Sequence, residues 1–86
     1  MFNNIQNAIT DTEVLVGGNH FLIKGEYMGL QNNWHTVIFK NDRNDTLKVE
    51  VSIDDENESI VMCVLDQVGF TNDQVTVIMK TFENQF

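Results

Sequence analysis

The residues of this chain that could take part in catalysis are few. Nucleophilic catalysis needs an activated nucleophile with a base in reach, and the candidates are Cys63, His20 and His35. Cys63 falls between apolar positions of a predicted helix, where a buried and unreactive thiol is the usual outcome. The two histidines, with no second cysteine, do not form a zinc motif. We therefore expect no catalytic residue, no metal and no cofactor, and a protein that is not an enzyme.

Carboxylates are the groups that this chain has in excess. Its 86 residues include 13 acids and five bases, a net charge of −8, and residues 41–58 alone contain seven of the acids and two of the bases. A calcium loop of the EF-hand type starting at Asp54 would need glycine and glutamate where Ser59 and Leu65 stand, so that motif is excluded. A charge of this sign repels nucleic acids and anionic membranes and favours basic protein surfaces as partners. The alternative is that the acidity only provides solubility.

The composition predicts one domain over residues 1–86. Hydrophobic residues make up 42% of the chain, which is enough for a single core. One cysteine excludes an internal disulfide framework and fits a reducing compartment. No signal peptide and no apolar segment of membrane-spanning length is recognisable. We expect a soluble, cytoplasmic protein, located in the host cytoplasm if a phage encodes it.

The first part of the chain alternates between apolar runs and glycine. Apolar residues recur at helical spacing from Phe2 to Ile9, and Gly17-Gly18 suggests either a hairpin or a bulged single strand. Further glycines and Asn32-Asn33 then interrupt the pattern. These patterns predict a helix over residues 2–11, strand segments over 14–16 and 20–24, and a loop over 25–33.

An antiparallel hairpin is the clearest element in the middle of the chain. Residues 34–40 are rich in β-branched and aromatic side chains, and residues 46–53 alternate apolar with polar side chains. The five polar residues 41–45 between them are typical of a turn.

The apolar period then changes to that of a helix. Residues 60–68 fit a helical stripe, with Asp55 and Glu58 as a capping pair and Gly69 at the end. A second capping box at Thr71 precedes residues 75–82, which we interpret as a helix, although the β-branched run 75–78 could instead form a strand. The fold class predicted is α+β, with an N-terminal helix, a small antiparallel sheet of three or four strands, and two C-terminal helices on one sheet face.

The acids form two groups at opposite ends of the predicted strand 46–53, roughly 25 Å apart. Carboxylates at such a spacing could imitate a nucleic-acid backbone in a groove lined by arginine and lysine. A helix start would explain Asp55 and Glu58 but not Asp42 and Asp45, which makes the latter pair the main candidates. The complete set of predicted partner-binding residues is Asp42, Asn44, Asp45, Glu50, Asp54, Asp55, Glu56 and Glu58, with the aromatic residues Tyr27 and Trp34 beside the predicted loop.

Two short motifs resemble a known family. Residues 41–45, Asn-Asp-Arg-Asn-Asp, are similar to an Asn-Asp-Gly-Asn-Glu turn of the small phage anti-CRISPR inhibitors of type II-A RNA-guided nucleases. Residues 56–61, Glu-Asn-Glu-Ser-Ile-Val, match the segment that opens the second helix of that family, and the predicted order of elements is also similar. The resemblance implies that Asp42 and Asp45 enter the site where the nuclease reads the short DNA motif beside its target, and so prevent DNA loading.

The sequence thus leads to two hypotheses about function. The first is a non-enzymatic, phage-encoded inhibitor that binds the basic nucleic-acid groove of a defence nuclease, without contacting nucleic acid or membrane itself. The second is a small structural or assembly module that self-associates through a sheet edge. A monomer fits the first hypothesis and a weak homodimer fits the second.

Overall fold

Five antiparallel strands form one sheet in which each strand pairs with the next along the chain. The structure, a computed structural model, describes residues 12–16 and 18–84. The predicted helix over residues 2–11 lies outside the described residues. In chain order the elements are β1 (Thr12–Val16), β2 (Asn19–Gln31), β3 (Trp34–Lys40), β4 (Thr46–Asp54), β5 (Ser59–Val68) and helix α1 (Asn72–Glu83).

The predicted hairpin in the middle of the chain is confirmed as β3 and β4. His35 pairs with Val51 and Lys40 with Thr46, so the polar residues 41–45 form the connecting turn. The apolar side chains of β4 alternate inward as expected, because successive residues of a strand point to opposite faces. The strands on either side of the double glycine in the sequence also pair with each other, Val16 with Asn19. Of the two alternatives there, the structure has the hairpin.

The predicted loop over residues 25–33 is wrong, because β2 continues through it to Gln31. The register between β2 and β3 shifts between Tyr27 and Gly29, and Gly29 has a φ of +121°. Glycine adopts this backbone conformation without strain, so it allows a β-bulge inside the strand and does not end it. The reversal comes only at Asn32 and Asn33, whose φ angles of 52° and 68° are those of a two-residue hairpin turn.

The predicted helix over residues 55–69 is also wrong. Residues 55–58 form a turn, and Ser59–Val68 is strand β5, paired with β4 along its whole length. Its apolar residues occupy both faces of the strand, with Ile60 opposite Ile53 and Val61 opposite Ser52, and the register shifts at Leu65. A strand that is apolar on both faces lacks the alternation of apolar and polar residues, so its sequence can equally well fit a helical stripe.

The predicted helix after Thr71 is confirmed, including its cap. The Thr71 side chain accepts from the Gln74 amide, and the Gln74 side chain accepts from the Thr71 amide. This capping box starts α1 and excludes the alternative of a strand over residues 75–78. The described residues therefore contain five strands and one helix, in place of the three or four strands and two C-terminal helices predicted.

The hydrophobic core lies between α1 and one face of the sheet, here called the inner face. Phe82 of α1 packs edge-on against Phe39 of β3, with ring centroids 5.1 Å apart. The side chains on the opposite face, called the outer face, are the intervening residues of each strand. The buried apolar residues are Ile23, Val37, Phe39, Leu47, Val49, Val51, Phe70, Val75, Ile78 and Phe82.

Candidate functional site

The two acidic groups lie at opposite ends of β4, as the sequence predicted. Residues 41–45 precede the first residue of β4, and residues 55–58 follow its last residue. A strand of nine residues places the two groups roughly 30 Å apart. They are therefore separate surfaces, and each has its own local geometry.

Asn41 organises the 41–45 turn through its side chain. Its Oδ1 accepts hydrogen bonds from the backbone amides of Arg43 and Asp45, both at 3.0 Å. Its Nδ2 donates to Oδ2 of Asp45 at 2.8 Å. Asparagine stabilises turns in this way because its side chain replaces a backbone partner. Asn44, at the exposed side of the turn, has a φ of 64°, a conformation that asparagine tolerates better than most residues.

Asp45 is tied into this turn and into the start of the last connection. Beyond its bond to Asn41, its carboxylate lies 3.7 Å from the Arg43 guanidinium, and its side chain is only 21% exposed. The carboxylate also fills the space beside Gly69, where a Cβ atom would overlap it. Asp45 therefore has a structural role that the sequence analysis missed, because residue 69 comes close only through the pairing of β4 with β5.

Basic residues surround the same turn. Lys40 precedes it, Arg43 lies within it, and Lys24 is directly opposite Lys40 in the β2–β3 ladder. Asp42 is exposed and has no hydrogen bond or ion pair among the described residues. The two acids of the turn are thus balanced by at least as many cations, so this end of the sheet does not present a surplus of negative charge.

The other end of β4 presents four carboxylates without nearby cations in the sequence. We call residues 54–58 the acidic tip. Oδ1 of Asp54 accepts from the backbone amides of Glu56 and Asn57, and its Oδ2 accepts from Nδ2 of Asn57 at 2.7 Å. The hydrogen bond from the Asn57 side chain, followed by that from its backbone, lowers the pKa of Asp54. The carboxylate form of Asp54 is therefore favoured, and its three hydrogen bonds hold the turn in shape.

The remaining carboxylates of the tip point into solvent. Asp55, Glu56 and Glu58 are exposed, and none of their side chains forms a hydrogen bond or ion pair with the described part of the chain. A helix start, which the sequence suggested for Asp55 and Glu58, does not account for them. The tip is therefore the place in the described chain where negative charge is concentrated and uncompensated.

The two aromatic residues predicted to contact a partner lie in different surroundings. Oη of Tyr27 lies 2.9 Å from Nδ1 of His35, and their rings are tilted with centroids 5.7 Å apart. Burial lowers the pKa of His35, which favours the neutral imidazole. Trp34 is half-buried beside the Asn32-Asn33 turn, at the same end of the sheet as the acidic tip. In the described ranges, no hydrogen bond joins Tyr27 or Trp34 to any of the predicted acids.

Strand β5 is the feature that sequence reasoning missed. It is the last strand of the sheet, with β4 on one side and no strand on the other among the described residues. Exposed apolar side chains lie along it, including Val61 and Val68, which are 54% and 56% exposed. Cys63, expected to be buried in a helix, is exposed on this strand, and Glu50 lies beside it on the outer face. The runs of β-branched residues were the available signal for a strand.

The described residues contain neither a cluster of metal ligands nor a membrane-spanning helix. No group of three or more histidine, cysteine, aspartate or glutamate side chains there has an arrangement that could hold a metal ion. No helix in the described ranges is long and apolar enough to cross a bilayer. Comparison with known proteins adds no assignment, because no protein family, curated protein or solved structure matches the chain.

Proposed function

We propose that this protein is a non-enzymatic inhibitor that binds a basic, nucleic-acid-binding surface of another protein through the acidic tip. The observation that supports it is the cluster of exposed carboxylates at residues 54–58, which have no cationic partner in the described chain. Arginine and lysine side chains that normally contact phosphates would bind such carboxylates through charge-assisted hydrogen bonds. Substrate would then be excluded by charge and by steric overlap.

The tip is a better candidate for this contact than the 41–45 turn. In the turn, Asp45 is held by Asn41 and Arg43, and the neighbouring lysines would repel a basic partner. In the tip, three of the acids are free to bind. Asp42 and Asp45 remain a prediction from the family resemblance, and they serve as the comparison pair in the experiment below.

A defence nuclease as the target is inferred from the sequence of the turn. Residues 41–45 form a turn, as the similar motif does in the anti-CRISPR inhibitors. The second motif, residues 56–61, lies in the tip and the start of β5, where the family would have a helix. The proposal of an anti-CRISPR-like activity in the cytoplasm of a host cell therefore depends on the turn motif and on the charge of the tip.

The experiment measures DNA cleavage by a panel of guide-loaded type II-A nucleases with and without this protein. We expect the wild type to inhibit at least one nuclease. Neutralising the tip with Asp55→Asn, Glu56→Gln and Glu58→Gln should raise the half-inhibitory concentration about tenfold or more, and rising salt should weaken wild-type inhibition.

Two control variants remove the same or a similar number of charges as the tip variant, but from other parts of the protein. Asp66→Asn, Asp73→Asn and Glu83→Gln remove three charges outside the tip, and Asp42→Asn with Asp45→Asn removes the two in the turn. Inhibition should survive the first control. If only the turn variant loses inhibition, the tip is the wrong site, and if no nuclease is inhibited by the wild type, the proposed function is wrong.

Self-association through β5 is the second candidate function. An edge strand of ten residues with exposed apolar side chains on both faces offers unpaired backbone groups to another strand. Asp66 is the one charged residue in β5, so two copies could pair antiparallel despite the net charge of the chain. The contact would extend about 33 Å along the strand, and an interface of that size is at the small end of specific ones, which implies a weak dimer.

Sedimentation at several protein concentrations and two salt concentrations tests this candidate. We expect a concentration-dependent dimer that rising salt does not weaken and that Val61→Lys converts to a monomer. Leu22→Lys is the matched control, because Leu22 is 61% exposed and lies on β2, away from β5. A wild type that is monomeric throughout, or a control that dissociates the dimer equally, would contradict the candidate.

A further inference from the structure

Two lysines face each other on the outer face of the sheet. Lys24 of β2 and Lys40 of β3 are direct partners in the antiparallel register, and both are exposed. The Cβ atoms of such partners are about 5 Å apart, and like charges in this position destabilise a sheet. Neither lysine forms an ion pair or a hydrogen bond with the described residues. In a chain of net charge −8, this pair of neighbouring cations has no role in the fold as described.

A groove of about 430 Å³ lies beside these lysines. One wall is formed by His20, Leu22 and Lys24, which lie on one side of β2 because they alternate along the strand. Lys40 and the beginning of the 41–45 turn form the other wall. The volume falls within the range of small-molecule sites, which combine an apolar surface with a few polar groups.

The groups in the groove define the class of ligand that it fits. Two ammonium groups supply six hydrogen-bond donors, and the amide of Asn44 can supply more. Leu22 is 61% exposed and gives the groove an apolar surface. Asp42 at the rim cancels one of the two positive charges, which favours a ligand of low charge over a polyanion. We propose that the groove binds a small organic oxyanion, a carboxylate or phosphate ester, with its charged group between Lys24 and Lys40 and its apolar part against Leu22.

This proposal is independent of the acidic tip, which lies at the other end of β4. Bound oxyanion would replace the repulsion between the lysines with two charge-assisted hydrogen bonds. A ligand that binds only the folded state also stabilises it, so the melting temperature should rise with ligand concentration. Removing one lysine should relieve the repulsion in the free protein and weaken the ligand at the same time.

The test is a titration followed by protein NMR with phenyl phosphate, benzoate and inorganic phosphate as probes. We expect saturable shifts of the groove residues with at least one of the two organic probes, and weaker binding of inorganic phosphate, which lacks the apolar part. If only phenyl phosphate binds, the ligand class is a phosphate ester. If only benzoate binds, the ligand class is a carboxylate. Lys24→Gln and Lys40→Gln should each weaken binding about tenfold.

Lys80→Gln is the matched control, since Lys80 is an exposed lysine of α1. It should leave binding unchanged, whereas Lys24→Gln should also raise the melting temperature of the ligand-free protein. The proposal is overturned if neither organic probe saturates below about 10 mM, a very weak affinity. It is equally overturned if Lys80→Gln weakens binding as much as the groove variants do.

Discussion

Asp45 and Asp54 illustrate how similar acids acquire different roles at the two ends of one strand. Both accept hydrogen bonds from an asparagine side chain, Asn41 in one turn and Asn57 in the other. Asp45 is also packed against Gly69 and close to Arg43. Asp54 forms no ion pair within the described part of the chain and instead anchors a turn whose other acids are exposed. The residues that hold each turn together are therefore distinct from those free to contact a partner.

The hydrogen bond between Asn57 and Asp54 predicts a change in ionisation. Asn57→Ala should raise the pKa of Asp54 toward its ordinary value, because that amide is the main cause of its lowered pKa. A carboxylate whose pKa is lower in the folded state stabilises the fold above its unfolded pKa. That contribution disappears as the pH falls through the folded pKa, and the variant should therefore show a smaller loss of stability on acidification.

A titration of side-chain carboxyl resonances by NMR measures the pKa of Asp54 directly. Gln31→Ala is a suitable control, because it removes an exposed amide near the neighbouring Asn32-Asn33 turn without touching Asp54. An unchanged pKa in Asn57→Ala would show that the backbone amides alone determine the ionisation.

At the scale of elements, the pairing of β5 with β4 decides most of the architecture. It replaces the predicted second helix, adds an exposed edge to the sheet, and places Gly69 beside the 41–45 turn. The connection to α1 is held further by Gln67, whose amide donates to the carbonyl of Phe70 and to Asn72. The position of the helix therefore depends on the end of β5.

Gly69→Ala should destabilise the protein more than Gly18→Ala does. Both glycines have positive φ angles, +86° and +82°, so alanine costs roughly 1–3 kcal/mol of backbone strain at either position. At Gly69 the new methyl group would also overlap the Asp45 carboxylate, whereas at Gly18 the space is empty. Urea unfolding measures both losses, and Gly18→Ala is the control for the φ term.

A double-mutant cycle with Asp45→Ala separates the two terms at Gly69. The cost of Gly69→Ala should fall to about that of Gly18→Ala once the carboxylate is absent. Equal costs with and without Asp45 would contradict the close packing of these two residues.

At the scale of the whole molecule, charge is unevenly distributed along the sheet. Lys24, Lys40 and Lys48 lie on the outer face of the sheet. Lys24 pairs with Lys40, and Lys48 lies two residues along β4 from Thr46, the partner of Lys40. The acidic tip extends from the opposite end. The two ends of β4 therefore differ in charge, with acids and bases mixed at the 41–45 turn and negative charge concentrated at the acidic tip.

This distribution predicts that moderate salt stabilises the fold. Raising the ionic strength from about 0.01 M to about 0.15 M shortens the screening length from about 30 Å to about 8 Å and so weakens repulsion among the acids. The urea midpoint should increase, and it should increase less in the variant with Asp55→Asn, Glu56→Gln and Glu58→Gln. The variant with Asp66, Asp73 and Glu83 neutralised is the control, and a midpoint that falls with salt would contradict the prediction.

The sequence by itself determined the elements whose causes are local. The β3–β4 hairpin follows from alternation on both sides of a polar turn, and the start of α1 follows from the Thr71 capping box. Both patterns involve residues within one element or one turn. The separation of the acids at the two ends of β4 could be predicted for the same reason.

Only the tertiary structure decided what depends on contacts between distant residues. The apolar residues of β5 fit a helix as well as a bulged strand, and the hydrogen-bonding partner available in β4 selects the strand. Asp45 meets Gly69, and Lys24 meets Lys40, through strand register that no local pattern encodes. Register is a property of two strands together. It places Asp45 against Gly69, where the carboxylate has a structural role, and it places the two lysines side by side in the groove.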